Sequence, residues 1–208
     1  MIKIITIERE YGCGGGAIAQ QVADRLGWTL WDELLTSEIA KLIDCQRADV
    51  RCREERVDPL YYRLFKSVMR GSFQGSADVH RLKLLDADSI FRLTERVIRQ
   101  AASGGNCVIV GRGAQHFLCN RDDALHVFLF APKKEKVRRL MAEGLSQADA
   151  EASVDTVDRD REEFIQRYFH MKWPNPCLYD ALLNTVHGDN TVVQTILNLK
   201  KALEQSAA

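Results

Sequence analysis

Four glycines within five positions, placed between a strand-like pattern and a helix-like pattern, constrain this chain more than any other feature. Residues 2–7 are mostly β-branched, glycine stands at positions 12, 14, 15 and 16, and an apolar pattern of helical spacing starts at Ala17. A strand, a glycine turn and a helix together present unpaired backbone N–H groups to an anion. The sequence therefore predicts a phosphate site that begins at about residue 9.

This turn departs from the usual phosphate-binding loop at two positions. A Walker A loop, GxxxxGK[ST], supplies a lysine that reaches the phosphates and a hydroxyl that binds Mg²⁺. Here Gly15 stands at the lysine position and Ala17 at the hydroxyl position, and Arg9 is the one cation in the segment. A backbone cradle needs neither side chain, and the alternative is a glycine turn that only packs tightly. The candidate phosphate-binding and ATP-binding residues are Arg9, Gly12, Cys13, Gly14, Gly15, Gly16 and Ala17.

Composition sets limits on the class of protein. The chain has 208 residues, of which 46% are hydrophobic, and this suffices for one sizeable core. Acidic and basic residues number 29 each, so no global charge favours nucleic acid or an anionic membrane. No apolar run reaches the roughly 20 residues that span a bilayer, and the chain does not open on a signal-peptide pattern. We expect a cytoplasmic protein without nucleic-acid or membrane partners.

Cysteine and histidine usage does not indicate a metal site. The six cysteines form no CxxC pair and the five histidines show no ligand spacing. We therefore expect that no protein side chain holds a metal. We also expect the cysteine thiols to be reduced. Cys13 is the exception of interest, because a nearby helix N-terminus would lower the pKa of its thiol, and a redox role is an alternative for it.

Short apolar runs alternate with longer helical patterns, which predicts a parallel sheet covered by helices on both faces. The predicted strands are Ile2–Ile7, Thr29–Trp31, Cys107–Val110, Leu125–Phe130 and Ala181–Asn184. The predicted helices are Ala17–Leu26 (closed by Gly27), Ala87–Ser103, Lys134–Glu143, Gln147–Phe169 and Thr191–Glu204. Residues 32–86 contain helix-forming pieces but no strong strand. We predict a helical insertion there, with a loop at residues 70–77.

Ligands of an open parallel sheet bind at the carboxyl ends of its strands, so the residues that follow each strand are candidates. Asp32 follows the second predicted strand. Arg112 follows the third between two glycines, where an arginine can fork onto a phosphate or form a salt bridge at the strand end. Thr185 follows the fifth.

Three later segments each allow two interpretations. Asp158 and Arg161 lie three residues apart on one helix face, as part of either a site or a surface salt-bridge ladder. The basic run at residues 133–139 is either a solvated helix face or a lid that clamps phosphates. The tract at residues 172–180, KWPNPCLYD, is either an aromatic floor for a base or a packed loop.

Taken in order, six segments resemble the cytidylate kinase-like family, whose relatives are the P-loop nucleoside monophosphate (NMP) kinases. The segments are TIEREYGCGGGAIAQQVADRLG, WDELL, CVIVGRGAQHFL, HVFLFAPKKEKVRRL, VDRDREEFIQRYF and KWPNPCLYDALLNT. The resemblance covers most of the chain and is weak at about residues 40–85. It implies an α/β fold of the P-loop NMP-kinase type, in one domain with a five-stranded parallel sheet flanked by helices. Its core would be residues 1–31, 87–132 and 170–208, with a helical NMP-binding insertion at about 32–86 and a lid at about 133–160.

The same resemblance implies roles for individual residues. In cytidylate kinases the arginine of a GRD segment binds the monophosphate, and Arg112 matches it, although Gly113 replaces the aspartate. A D-x-x-R pair contacts the same monophosphate there, and Asp158 and Arg161 match that pair. Lid arginines clamp the transferring phosphoryl group in those enzymes, and Arg138 or Arg139 are the candidates here. With Asp32, which follows the second strand, the candidate acceptor-binding residues are Asp32, Arg112, Asp158 and Arg161, and the candidate catalytic residues are Arg138, Arg139 and Arg161.

The expected function is transfer of a phosphoryl group from ATP, with Mg²⁺, to a (d)CMP-like acceptor. One alternative is a nucleotide-binding regulatory module whose kinase site is degenerate and weakly active or inactive. Another is a kinase for a different small phosphorylated or hydroxylated metabolite. The insertion offers a surface for a homodimer.

Overall fold

A five-stranded parallel sheet organises the computed structural model, which describes residues 1–49 and 87–206. The strands are β1 (Ile4–Arg9), β2 (Thr29–Trp31), β3 (Cys107–Val110), β4 (Ala124–Phe130) and β5 (Ala181–Asn184). They lie in the order β2-β3-β1-β4-β5 with parallel pairing throughout. The order reverses at β1, and the crevice at such a switch point is where open α/β sheets bind ligands. The predicted sheet is confirmed.

Seven α-helices are assigned within the described residues. They are α1 (Gly15–Leu26), α2 (Glu33–Asp49), α3 (Ala87–Gly104), α4 (Ala114–Phe117), α5 (Lys133–Ala142), α6 (Gln147–Phe169) and α7 (Asp189–Ser206). Short 3₁₀ turns at Pro176–Leu178 and Thr185–His187 flank β5. Helices α1 and α7 cover one face of the sheet, and α2, α3, α4 and α6 cover the other.

Side chains of the central strand β1 point alternately to the two faces of the sheet and so contribute to the core on both. Ile4 packs into the cluster beneath α3, whereas Ile5 and Ile7 pack beneath α1 and α7, because successive side chains of a strand point to opposite faces. All six residues of β1 are buried, as expected for the middle strand of a covered sheet.

The first predicted strand and the first predicted helix both differ from the structure in their bounds. Strand β1 runs two residues further than predicted and begins two residues later. Glu8 and Arg9 lie beyond the predicted end of this strand at Ile7, yet they pair with Phe128 and Leu129 of β4. Helix α1 begins at Gly15 rather than Ala17, so only two of the four glycines lie in the turn itself. The other predicted elements match within two residues at either end, and Gly27 closes α1 at φ 63° as predicted.

The predicted helical insertion is described in part. Helix α2 lies directly after Asp32, and Leu35 and Ile39 of this helix are fully buried in the core. Residues 50–86, with the predicted loop at 70–77, lie outside the described residues. Among the helices that are described, none combines the length and the apolar character needed to cross a membrane.

Candidate functional site

The carboxyl end of β1 leads into a tight loop that wraps the start of α1. Gly12 and Gly14 have left-handed backbones, with φ of 76° and 81°, which only glycine adopts without strain. A Cβ on Gly15 would lie 2.9 Å from the Cβ of Arg9, so the loop and β1 are in direct contact. Gly14 caps the helix with no side-chain hydrogen bond. Because the first amides of a helix have no partner within it, the loop has the geometry of an anion cradle.

The carbonyl of Cys13 is one point at which the rest of the protein holds this loop. It accepts a hydrogen bond from Thr185 Oγ1 at 2.7 Å and another from Arg139 Nη1 at 2.7 Å. The thiol of Cys13 is fully buried, and burial raises its pKa to about 11. The prediction of a lowered pKa at this cysteine is therefore wrong, and the thiol stays protonated and unreactive at neutral pH.

Arg139 and Arg138 are neighbours on α5 but occupy different environments. Arg139 also donates to the carbonyl of Thr185 at 2.9 Å, and its guanidinium lies against Gly14, where a Cβ would overlap Nη1. Arg138 is 68% exposed and forms an exposed pair with Glu135. Of the two predicted lid arginines, only Arg139 contacts the glycine loop. Arg139 also pairs with Glu135 at 3.2 Å and with Asp189 at 3.4 Å, and these contacts fix its positive charge beside a loop that has no lysine.

A second set of contacts fastens α5 and α6 to the loop. Asp158 accepts a hydrogen bond from the Tyr11 amide at 2.7 Å through Oδ1, and from Lys136 at 2.8 Å through Oδ2. Lys136 also donates to Glu10 at 3.0 Å. Burial lowers the pKa of Lys136, but these two carboxylates outweigh burial and raise it. Asp158, expected at an acceptor phosphate, thus holds the loop backbone in this conformation.

Three guanidinium groups converge beside this loop, at the carboxyl ends of β1 and β3. Arg9, Arg112 and Arg161 are each at most 4% exposed. Arg112 donates to Asp32 at 2.8 Å and to Thr36 at 2.7 Å, and Arg161 donates to the carbonyl of Arg9 at 2.8 Å. Arg112 also has a left-handed backbone, φ 59°, which is uncommon outside glycine. Strain of this kind concentrates at functional sites.

Electrostatics in this cluster favour an added negative charge. Burial, followed by repulsion from Arg9, lowers the pKa of Arg161 to about 10. Burial also lowers the pKa of Arg112, against the opposing influence of Asp32. Guanidinium groups that repel one another in a buried setting are characteristic of a binding site for an anion.

A small cavity lies within the cluster. It is lined by Glu8, Arg9, Arg112, Gly113, Arg161, Ile165 and Trp173. Its volume is about 10 Å³, which is about the volume that one water requires. The site is therefore closed in this conformation, and a ligand larger than water enters only after one wall moves.

Phe169 explains the glycine at position 113. A Cβ on Gly113 would lie 2.8 Å from Cε2 of this ring, and the backbone there has φ 72°. The ring of Phe169 stacks on His116, with centroids 4.1 Å apart. Cytidylate kinases have an aspartate at the equivalent position of their GRD segment. In this chain the side chain of an aspartate at position 113 would collide with the Phe169 ring.

Four further residues shape this region, and of these Thr185 was expected as the residue after the fifth strand. Glu8 and Trp173 line the cavity, Lys136 joins Glu10 to Asp158, and Thr185 holds the loop. Glu8 and Thr185 stand at strand ends, a signal that was available from the sequence. The described residues contain no group of three or more His, Cys, Asp or Glu side chains placed to hold a metal ion.

Comparison with known proteins agrees with this architecture. The model of the cytidylate kinase-like family matches residues 4–187. No curated protein matches the chain.

Solved structures resemble the chain over nearly its whole length. An uncharacterized protein from Eubacterium ventriosum has a TM-score of 0.68 at 22% identity, over 97% of this chain and 99% of that one. Shikimate kinase from Acinetobacter baumannii, in complex with shikimate, has a TM-score of 0.51 at 15% identity, over 97% and 94%. Shikimate kinase from Bacteroides thetaiotaomicron has a TM-score of 0.51 at 16% identity, over 97% and 99%. At these identities the likeness establishes the P-loop kinase fold.

Proposed function

The chain belongs to the cytidylate kinase-like family, and on that premise we propose that it transfers a phosphoryl group from ATP to a (d)CMP-like nucleoside monophosphate. The observation that carries the proposal is the convergence of Arg9, Arg112 and Arg161 next to the glycine loop. Phosphoryl transfer needs little covalent chemistry from the protein. It needs two phosphates placed in line and their charge neutralised.

The donor half of the site is the glycine loop together with Arg139. The amides at the start of α1 bind the phosphates of ATP, as helix N-termini bind anions elsewhere. Arg139 supplies the positive charge that the lysine gives in a Walker A loop, and the bonds to the Cys13 and Thr185 carbonyls orient its guanidinium. Mg²⁺, when bound with ATP, neutralises phosphate charge. Because Ala17 has no hydroxyl, we expect that ion to be held by phosphate oxygens and water.

The acceptor half of the site is the arginine cluster. Arg112 and Arg161 bind the acceptor phosphate, and Asp32 orients Arg112 through their 2.8 Å hydrogen bond. Asp158, three residues before Arg161, positions the loop until the acceptor enters. Since the cavity accommodates no more than one water, we expect acceptor binding to displace the wall formed by α6 and Trp173.

Catalysis then depends on fixed cations around the transferred group. Arg161 neutralises charge from the acceptor side and Arg139 from the donor side. Loss of one such cation from a phosphoryl-transfer site commonly lowers the rate by about 10³-fold or more. Both arginines bind Glu135, but Arg138 is excluded from this role in our proposal because its side chain is 68% exposed, whereas that of Arg139 is 18% exposed.

A nucleotide-binding module with a degenerate kinase site is the second candidate. Gly15 at the lysine position and the closed cavity favour it. A kinase for another small metabolite is the third, because Phe169 fills the space beside Gly113. In that case the arginine cluster would bind the anionic group of a different acceptor.

The test is a coupled assay of ADP release with MgATP and a panel of CMP, dCMP, UMP, AMP, GMP and no acceptor. We expect acceptor-dependent release that is highest with CMP or dCMP. Arg139→Ala should lower the rate by about 10³-fold, and Arg138→Ala, its exposed neighbour, should stay within about twofold. Binding of both nucleotides without ADP release would favour the regulatory module. Release that depends on none of the monophosphates would contradict the proposed acceptor.

A further inference from the structure

The side chain of Trp173 has a hydrogen-bond donor with no acceptor among the residues that the structure describes. Its indole Nε1 is buried, and none of the described residues accepts its hydrogen. An indole N–H is a donor only, and when buried it usually has a partner. The ring itself is packed edge-on against Phe128, with centroids 5.5 Å apart. The apolar part of the side chain is thus satisfied and the polar part is not.

Trp173 lines the same cavity as the three guanidinium groups. One carboxylate among the described residues also lines the cavity, that of Glu8, and both of its oxygens accept hydrogen bonds from other groups. Oε1 accepts from the Arg9 amide at 3.0 Å, and Oε2 accepts from Gln115 at 3.4 Å. Among the described residues that line the cavity, none is placed to accept this hydrogen, and a bound ligand would supply the acceptor.

We propose that the indole N–H of Trp173 is a further ligand of the anion in this cavity and donates a hydrogen bond to a phosphate oxygen of the acceptor. This inference rests on the proposed acceptor site and adds a neutral donor to its charged ones. A cavity lined by guanidinium groups and by Trp173, whose buried N–H has no acceptor among the described residues, suits a group that has several acceptor oxygens and negative charge. A phosphate monoester has both properties.

The primary experiment uses the unmodified full-length protein with ¹⁵N-labelled tryptophan. The chain contains three tryptophans, so a heteronuclear spectrum has three indole N–H signals, and Trp28 and Trp31 serve as internal controls. Inorganic phosphate, CMP and cytidine are titrated separately. We expect the Trp173 signal to move saturably with phosphate and with CMP, and to stay unmoved with cytidine. The two control signals should move much less.

A substitution at Trp173 measures how much this side chain contributes to CMP affinity. Trp173→Phe keeps an aromatic ring against Phe128 but removes the N–H together with the second ring of the indole, and it should weaken CMP affinity about tenfold in calorimetry. The matched control is Trp28→Phe, whose ring lies under Lys200 on α7 and should leave CMP affinity unchanged.

The outcomes separate this inference from the proposed function. A Trp173 signal that stays in place while CMP binds, or an undiminished affinity in Trp173→Phe, overturns the inference and leaves the kinase proposal standing. A saturable shift in an enzyme that transfers no phosphoryl group supports the inference and contradicts the kinase proposal. Absence of phosphate and CMP binding overturns both.

Discussion

Replacing Arg112 by methionine should destabilise the protein strongly, because it leaves Asp32 as a buried carboxylate without its cation. The two side chains are 0% and 6% exposed, and the distance between Nη1 and Oδ1 is 2.8 Å. Removing one partner of a buried pair costs about 3–5 kcal/mol, mostly the desolvation of the remaining charge. This is a large part of the roughly 5–15 kcal/mol by which domains of this kind are stable.

Urea unfolding followed by circular dichroism measures the effect. With an m value of about 2 kcal/mol/M, a loss of about 3 kcal/mol lowers the unfolding midpoint by about 1.5 M. The double variant Arg112→Met with Asp32→Asn should recover about 2 kcal/mol, because no charge is then left buried alone. Arg99→Met is the control, since its pair with Glu95 lies at the surface and should contribute about 0.5 kcal/mol.

One pattern of unfolding free energies would contradict the buried ion pair. If Arg112→Met costs less than about 1 kcal/mol, and Asp32→Asn has the same effect with and without Arg112, the pair is not a buried ion pair in solution.

Two further predictions concern the aromatic wall of the site. Gly113→Ala should lower the free energy of unfolding by about 2 kcal/mol, because the added Cβ would lie 2.8 Å from the Phe169 ring. Gly27→Ala is the control in thermal unfolding: Gly27 also has a positive φ, but the space around it is open, so this substitution should cost less. Burial and the neighbouring His126 lower the pKa of His116 to about 4, so below pH 6.5 the unfolded chain binds a proton that the folded state does not. Stability should fall by about 2 kcal/mol between pH 6.5 and 4, after allowance for solvent screening, and His116→Phe should flatten that fall in urea titrations at each pH. An equally steep pH dependence in the variant would exclude His116 as the cause.

Local patterns of the sequence predicted the sheet and its helices well. Helix α6 has the predicted bounds, Gln147–Phe169, because a helical pattern with clear ends needs no knowledge of distant contacts. Gly27 at the end of α1 was likewise recognisable, since a glycine after the last apolar position of a helix commonly adopts the left-handed conformation.

Long-range contacts explain what the sequence did not predict. Glu8 and Arg9 resemble turn residues, but β4 pairs with them and buries them. Arg138 and Arg139 are equivalent by composition, and only the packing of α5 on the loop determines which of them faces Cys13. The raised pKa of Cys13 has the same origin, because burial outweighs the helix N-terminus.

The central claim is that the glycine loop binds a polyphosphate with Arg139 in place of the missing lysine, and calorimetric titration of MgADP tests it most directly. We predict saturable binding to the unmodified protein, an affinity about tenfold or more lower in Arg139→Ala, and an affinity within about twofold in Arg138→Ala. Equal affinities in all three proteins, or no binding to the unmodified protein, would contradict it.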